Sequence, residues 1–218
     1  LYANLSGIFV MYLAVITLLW VGISIRVFFS RNTGLPVNKV VVGVTGVFFP
    51  PAAWLAFVAM YASFGITMVI SLLAIVWVAD IMAYFTGMAF GKHRMSPAIS
   101  PKKSWEGVAG GMLSVMILGL IFAWFFSWMN TIPGVIVESM GVVAWIVAAF
   151  ILVSLSIVGD LFESALKRQA GIKDSSNLFP APGVCLERLD ASVPPVQFGF
   201  RLTVLIRSGN SRLLSRLD

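Results

Sequence analysis

Acidic and basic side chains of this sequence concentrate in one stretch, residues 160–190. The stretch holds five of the nine acidic residues and four of the fifteen basic residues of a chain that is 59% hydrophobic. These residues are Asp160, Glu163, Lys167, Arg168, Lys173, Asp174, Glu187, Arg188 and Asp190. Carboxylates from two segments suit Mg²⁺, which takes one or two carboxylates with waters and substrate phosphates, and the interleaved cations would neutralise phosphate oxygens. The stretch therefore favours phosphoryl or nucleotidyl chemistry, and salt bridges among the same residues are the alternative interpretation.

The first part of this stretch has the spacing of an amphipathic helix. After residue 159, a helix would bring four polar side chains to one face by the i, i+3, i+4, i+7 spacing. These are Asp160, Glu163, Ser164 and Lys167, with Leu161, Phe162, Ala165 and Leu166 opposite. The loop at 171–183 contains glycine and proline and would let the later carboxylates converge on this stripe. The alternative is an interfacial helix whose charges are only solvated.

A second polar segment, residues 90–107, lies between two apolar runs. Ser100 followed by Pro101 predicts a helix that begins there, with serine as the N-cap and proline at the first helical position. Lys102 and Lys103 would then lie at the positive end of the helix dipole, which is unfavourable for cations unless an anion binds there. A phosphate or triphosphate is the candidate anion. The alternative is that these lysines contact lipid headgroups.

Asp80 is the only formal charge between residues 40 and 90. Acidic residues inside a membrane span usually face a cavity or a partner, and here a metal, a substrate or a structural lysine could be that partner. Ala83, Gly87 and Gly91 recur every four positions in the same run. This spacing predicts close packing of one helix against another.

Residue content argues against several functional classes. His93 is the only histidine, so the sequence supports neither a histidine metal site nor a serine triad, and we interpret His93 as a loop residue. Cys185 is the single cysteine and cannot form an internal disulfide. The sequence contains no P-loop or dinucleotide fingerprint and no module that binds RNA or DNA.

Long apolar runs must position the polar segments. Only 11% of the residues are charged and the mean hydropathy is +0.96, whereas soluble domains have about 25% charged residues. A helix needs roughly 20 apolar residues to cross a membrane, and the runs that qualify are 3–25, 40–61, 65–89, 108–129 and 135–158. Pro50 and Pro51 predict a kink or break in the second run. Residues 191–206 are apolar but contain two prolines and an arginine, so they make a poor sixth span. From these runs we expect an all-α, polytopic transmembrane helical protein with five to six spans.

Basic residues of alternate loops fall on one side of the membrane. They occur in the first loop at 26–39, in the third loop at 92–103, and after the fifth span at 167–188. The positive-inside rule makes this side cytoplasmic, so the three loops can cooperate in one site. We expect one integral membrane domain, 1–218, with N-terminal spans at 1–79, a catalytic-motif region at 80–190 and a C-terminal segment at 191–218.

Together the two polar segments resemble the bacterial phosphatidate cytidylyltransferases, also called CDP-diacylglycerol synthases. The family signature runs Ser-x-x-Lys-Arg, four residues, Lys-Asp, a Pro-Gly-His-Gly-Gly turn and then Asp-Arg-x-Asp. This chain matches it at Ser164, Lys167, Arg168, Lys173, Asp174, Pro180, Arg188 and Asp190. Segments that look like the same family begin at Asp80 (Asp-x-x-Ala-Tyr-x-x-Gly), Phe90 (Phe-Gly-Lys-His) and Ser100 (Ser-Pro-Lys-Lys-Ser-Trp-Glu-Gly). The chain departs from the signature at 181–184, which reads Ala-Pro-Gly-Val, and at Glu187, where the family has aspartate.

The resemblance implies Mg²⁺-dependent transfer of a cytidylyl group from CTP to phosphatidic acid, which gives CDP-diacylglycerol and pyrophosphate. It implies Asp160 and Glu187 as metal ligands for Mg²⁺, with a second cation left open, and Asp174 and Asp190 as supporting carboxylates. The implied phosphate-binding residues are Lys167, Arg168, Lys173 and Arg188. The implied substrate-binding residues are Asp80, Ser100, Lys102, Lys103 and Ser164.

The resemblance also implies the setting of the protein. We expect an integral protein of the bacterial inner membrane whose site faces the cytoplasm, with CTP, phosphatidic acid and membrane lipids as partners, no nucleic acid, and a homodimer by analogy. The family's first spans have no counterpart here, which suggests an N-terminally truncated member with an altered signature turn. Two alternatives stay open: a transporter or ion-coupled carrier that uses Asp80, and an inactive relative that acts as a membrane scaffold.

Overall fold

The computed structural model of the protein describes residues 7–29, 39–96, 100–169, 195–196, 198–200, 202–204 and 206. Its elements follow one another as α1 (Gly7–Phe29), α2 (Lys39–Phe64), α3 (Ile66–Phe90), β1 (Arg94–Ser96), β2 (Ser100–Ser104), α4 (Trp105–Phe125) and α5 (Ile132–Gln169). The described residues after 194 are helical as well. The five predicted apolar runs correspond to α1 through α5, because continuous apolar sequence in a membrane must satisfy its backbone within a helix. The expected all-α polytopic fold is confirmed, with one short hairpin added.

Four of the helices can cross a membrane by length and composition, through the segments Val47–Phe64, Ile66–Phe90, Trp105–Phe125 and Ile132–Ala165. The apolar stretch Met11–Ile23 in α1 is shorter. Large apolar side chains face outward along these helices, among them Trp54, Trp77 and Leu113. An exposed apolar surface of this extent fits lipid rather than water. The chain is therefore an integral membrane protein.

Pro50 and Pro51 lie inside helix α2, which runs on through both of them. The predicted kink or break therefore does not take the form of a break, and the kink stays a prediction. Proline is tolerated in membrane helices where neighbouring groups or local adjustments satisfy the freed carbonyls. The chain instead leaves helical geometry at Gly65, which separates α2 from α3 with a φ of 84°. A positive φ of this size favours glycine.

Small residues bring α3 and α4 into close contact. A Cβ atom added at Gly107 would lie 2.6 Å from the carbonyl oxygen of Ala83, and one added at Gly111 would lie 2.7 Å from that of Ala79. A Cβ atom at Gly87 would in turn lie 3.6 Å from the Cα of Gly107. The predicted role of Ala83 and Gly87 in close helix packing is confirmed.

Trp145 fixes the position of α5 against α4. Its side chain is fully buried, its Nε1 donates to the carbonyl oxygen of Met116 at 3.1 Å, and its ring occupies the space beside Gly119. The backbone of α5 changes direction at Gly141, where φ is 86°. Asp160 lies about 28 Å further along the helix at 1.5 Å per residue, a length close to the hydrocarbon core of about 30 Å. The carboxylate therefore lies far along α5 from Gly141, at the end of the helix that carries its polar residues.

Candidate active site

The segment that was predicted to begin a helix at Ser100 forms a strand. β2 pairs with β1 in antiparallel fashion, with Arg94 opposite Ser104 and Ser96 opposite Ser100. Helix α4 begins after Ser104, whose Oγ accepts a hydrogen bond from the backbone N–H of Gly107 at 3.2 Å. The predicted N-cap at Ser100 is wrong, because strand pairing satisfies this backbone and Ser104 offers an equivalent cap.

Lys103 and Asp160 form an ion pair that joins the two polar segments of the sequence. The Nζ of Lys103 contacts Oδ2 of Asp160, and the two side chains are 24% and 36% exposed. Lys103 therefore lies in β2, directly before the N-cap residue Ser104 of α4, and a carboxylate balances its charge. A half-buried pair is screened by salt less than a surface pair is. This contact places the hairpin and the polar part of α5 in one site.

The antiparallel course of the helices explains why these segments meet. α3 ends at Phe90 just before the hairpin, α4 begins at Trp105 just after it, and α5 returns to the same end of the bundle. The joint at Gly65 and the connection between α4 and α5 lie at the opposite end. That connection, residues 126–131, contains no charged residue, whereas residues 92–103 contain four cations. The bundle thus has one strongly basic end.

The polar stripe of α5 is present as predicted, within the residues that the structure describes. Asp160, Glu163 and Ser164 are half-buried on this helix, whereas Leu161 and Phe162 are buried. Lys167 and Arg168 belong to the same helix, although their side chains lie outside the described structure. Ser164 lies one helical turn beyond Asp160, which makes it a neighbour of the ion pair.

The other predicted substrate-binding residues occupy three different environments. Ser100 is half-buried in β2, and Lys102 is exposed beside the ion-paired Lys103. Asp80 is half-buried within α3 and shares a helix face with Gly87, seven residues later. At 1.5 Å per residue, Asp80 lies about 10 Å deeper in the bundle than Gly87. Asp80 therefore lies inside the bundle and not at its basic end.

The contact between His93 and Glu106 is a feature that the sequence interpretation missed. The His93 Nδ1 lies 2.6 Å from Oε1 of Glu106, and the backbone N–H of His93 donates to the same carboxylate at 3.1 Å and 3.2 Å. His93 is consequently more than a plain loop residue. The available signal was an acidic residue in the first turn of a helix, but a helix that begins at Ser100 would place Glu106 beyond its first turn, whereas the observed helix α4 begins at Trp105.

Several predicted site residues lie outside the described structure. They are Lys173, Asp174, Glu187, Arg188 and Asp190. Within the described ranges, no group of three acidic, histidine or cysteine side chains could hold a metal ion. Asp160 offers the hard oxygen donors that Mg²⁺ prefers. In this structure its carboxylate forms an ion pair with Lys103. A shared ion between Asp160 and Glu187 stays a prediction.

Comparison with known proteins gives a consistent family match. A family model described as the cytidylyltransferase family matches residues 2–205 of this chain. The phosphatidate cytidylyltransferase of Haemophilus influenzae is 40% identical over 134 residues, which cover 62% of this chain and 44% of the relative.

Two further relatives carry the same name. The phosphatidate cytidylyltransferase of Pseudomonas aeruginosa is 44% identical over 124 residues, covering 57% of this chain and 42% of the relative. That of Thermotoga maritima is 39% identical over 144 residues, covering 65% of this chain and 52% of the relative. The chain spans about half the length of the curated relatives that it matches.

Proposed function

The chain belongs to the cytidylyltransferase family, and from this premise we propose that it transfers a cytidylyl group from CTP to phosphatidic acid. A phosphate oxygen of the lipid bonds to the α-phosphorus of CTP. The bond from that phosphorus to the oxygen that bridges the α- and β-phosphates breaks, and pyrophosphate leaves. The other product is CDP-diacylglycerol. The proposal extends to this chain what the names of its relatives state about them.

The observation that carries the proposal is the ion pair between Lys103 and Asp160. It brings a cation of the hairpin to a carboxylate of α5 at the basic end of the bundle. Two polyanionic substrates repel each other, so catalysis depends on offsetting their charge and holding an in-line geometry. A phosphate monoester has a second pKa of about 6 and is already anionic near neutral pH, so the reaction needs no general base.

Mg²⁺ is part of the proposal as a cofactor, with Asp160 and Glu187 as its ligands and a second cation left open. When bound, it would neutralise phosphate charge and order the polyphosphate. The described residues fit this assignment in part, since Asp160 supplies suitable oxygen donors at the basic end of the bundle, beside Lys103. Displacement of Lys103 from Asp160 would then leave its ammonium group available to a phosphate oxygen.

The remaining predicted residues have supporting roles in the proposal. Ser100, Lys102 and Lys103 would line the entrance for the nucleotide or lipid headgroup, and Ser164 and Asp80 would contact substrate. Basic residues that follow Asp160 would hold phosphates, namely Lys167, Arg168, Lys173 and Arg188. Asp174 and Asp190 would support the metal ligands.

We further propose that the site faces the cytoplasm across a bacterial inner membrane. The basic residues at 92–103 and the uncharged connection at 126–131 support this orientation through the positive-inside rule. A homodimer remains a proposal by analogy with the family, and cross-linking in native membranes would test it.

The test is conversion of phosphatidic acid by the purified protein with CTP and Mg²⁺, followed by release of pyrophosphate and formation of CDP-diacylglycerol. Lys103→Ala and Asp160→Asn should each abolish most of the turnover. Glu138→Gln is the matched control, because Glu138 is an exposed acid of α5 at the opposite end. Absence of turnover in a folded protein would instead favour an inactive membrane scaffold. CTP-independent uptake of a solute into vesicles would favour a carrier, which family membership does not support.

A further inference from the structure

We propose that Glu106 and His93 form a clamp that positions Lys103 for catalysis, an inference that rests on the proposed function of the site. Three contacts make up the clamp. The imidazole Nδ1 of His93 lies 2.6 Å from Oε1 of Glu106, and the His93 backbone N–H donates to both carboxylate oxygens, at 3.1 Å and 3.2 Å. Neither residue is assigned a contact with substrate, so both are positioning residues.

The hairpin needs stabilising contacts with the helices because it is small. β1 has three residues and β2 has five, and an isolated two-stranded hairpin is marginally stable at best. The clamp lies where the two strands join helices α3 and α4. There the backbone N–H of Trp105 also donates to the carbonyl oxygen of His93 at 3.0 Å. The start of β1 is thereby tied to the first turn of α4 through both backbone and side chains.

The end of α3 supports the other side of the hairpin. A Cβ atom added at Gly91 would lie 2.8 Å from the Oγ of Ser104, and one at Gly87 would lie 3.1 Å from it. This close fit prevents Ser104 from moving toward α3, and the clamp prevents the hairpin from moving away. The backbone of Lys103, one residue before Ser104, is therefore held from two sides.

The chemistry of the clamp suits a strong contact. Hydrogen bonds to an ionised carboxylate are shorter and about twice as strong as neutral ones, and an acidic residue in the first turn interacts favourably with the helix dipole. Contact through Nδ1 requires a proton on that nitrogen, which fixes the ring orientation. The Glu106 side chain is 26% exposed and that of His93 is 80% exposed, so Glu106 is the shielded partner on which the clamp depends.

The consequence for the reaction follows from the length of the lysine side chain. The Lys103 ammonium ends a flexible four-carbon stem, and it reaches Asp160 from β2 only while the hairpin backbone stays in place. A displacement of about 1 Å at a reacting group can lower a rate by about 100-fold. Loss of the clamp should therefore reduce turnover through Lys103, without any loss of a group that contacts substrate.

The first test measures the hairpin directly and needs no activity. A spin label is attached at Lys102→Cys in a Cys185→Ser background, because Lys102 is exposed on β2. Glu106→Ala should narrow the lines of the continuous-wave electron paramagnetic resonance spectrum, because the label gains mobility. Glu138→Ala should leave the spectrum unchanged. Identical spectra for Glu106→Ala and the parent protein would overturn the clamp.

The second test asks whether the clamp acts through Lys103. Glu106→Ala should lower kcat by about 10-fold to 100-fold, yet it should lower the residual rate of Lys103→Ala much less, because coupled residues are not additive. His93→Asn keeps an N–H donor near the Nδ1 position and should recover much of the rate that His93→Ala loses. Equal losses in both backgrounds would show that Glu106 acts independently of Lys103 and would overturn the proposal.

The two tests separate the clamp from the proposed function. A parent protein without cytidylyl transfer, but with a hairpin that loosens in Glu106→Ala, would refute the function and leave the clamp as a structural device. A parent protein with full transfer and a hairpin that Glu106→Ala does not loosen would refute the clamp and leave the function intact.

Discussion

Substitution of Gly111 by alanine tests the close packing of α3 and α4 on which the site depends. An added Cβ atom would lie 2.7 Å from the Ala79 carbonyl oxygen and 3.2 Å from the Ala83 Cβ atom. The first contact involves backbone, so the helices must separate rather than a side chain rotate. Overpacking of a close-packed interior typically costs about 1–3 kcal/mol. Alanine also favours a helix over glycine by up to about 1 kcal/mol, which partly masks this cost.

Gly22→Ala is the matched control, because it separates the two effects. Gly22 lies in the interior of α1, and a Cβ atom there meets nothing within 4 Å among the described atoms. The helix-propensity gain is common to both substitutions and cancels in their difference. Gly111→Ala should therefore be less stable than Gly22→Ala by about 1–3 kcal/mol.

The assay is reversible unfolding in mixed detergent, followed by helical circular dichroism. Equal unfolding free energies for the two variants would mean that α3 and α4 do not approach each other as described. Because α3 and α4 also carry the hairpin, we expect Gly111→Ala to lose cytidylyl transfer at a lower temperature than the parent protein does.

Two further predictions concern the supports of the site. Ser104→Ala removes the cap of α4 and should lower the unfolding free energy by about 1 kcal/mol, whereas Ser104→Gly, which adds no atom to this buried and closely packed position and is itself tolerated as an N-cap, should lose only a few tenths of that amount; equal losses in the two variants would contradict the capping role. Trp145→Ala removes a fully buried side chain and its hydrogen bond to Met116, so it should cost about 3–5 kcal/mol by the same assay. Trp145→Phe keeps a smaller aromatic ring but loses the hydrogen-bond donor, so its unfolding free energy should lie between those of Trp145→Ala and the parent protein.

Much of the architecture could be predicted from hydropathy alone. In a membrane, a long apolar run has few alternatives to a helix, so the runs at 65–89 and 108–129 correspond to α3 and α4. The division of α5 into a polar face with Asp160 and a buried face with Leu161 followed from helical spacing. These predictions depend on local sequence, which the tertiary structure does not override.

The hairpin could not be predicted because its signals are short and ambiguous. Ser100-Pro101 has the pattern of a helix start, yet proline is also tolerated in an edge strand, and a hairpin always has two edges. The contact of His93 with Glu106 exists only after β1 has folded back on β2. Local patterns do not contain such a contact, and neither does the pairing of Lys103 with Asp160, which depends on how three helices pack.

The central claim is that Lys103 and Asp160 meet at the basic end of the bundle, and zero-length carbodiimide coupling in native membranes tests it most directly. The reagent activates a carboxylate and joins it to an amine in contact, so peptide mass spectrometry should find an amide between Lys103 and Asp160, and none between the neighbouring Lys102 and Asp160. A small amine added in parallel shows whether the reagent reaches Asp160. An Asp160 that reacts with the added amine but never with Lys103 would contradict the account.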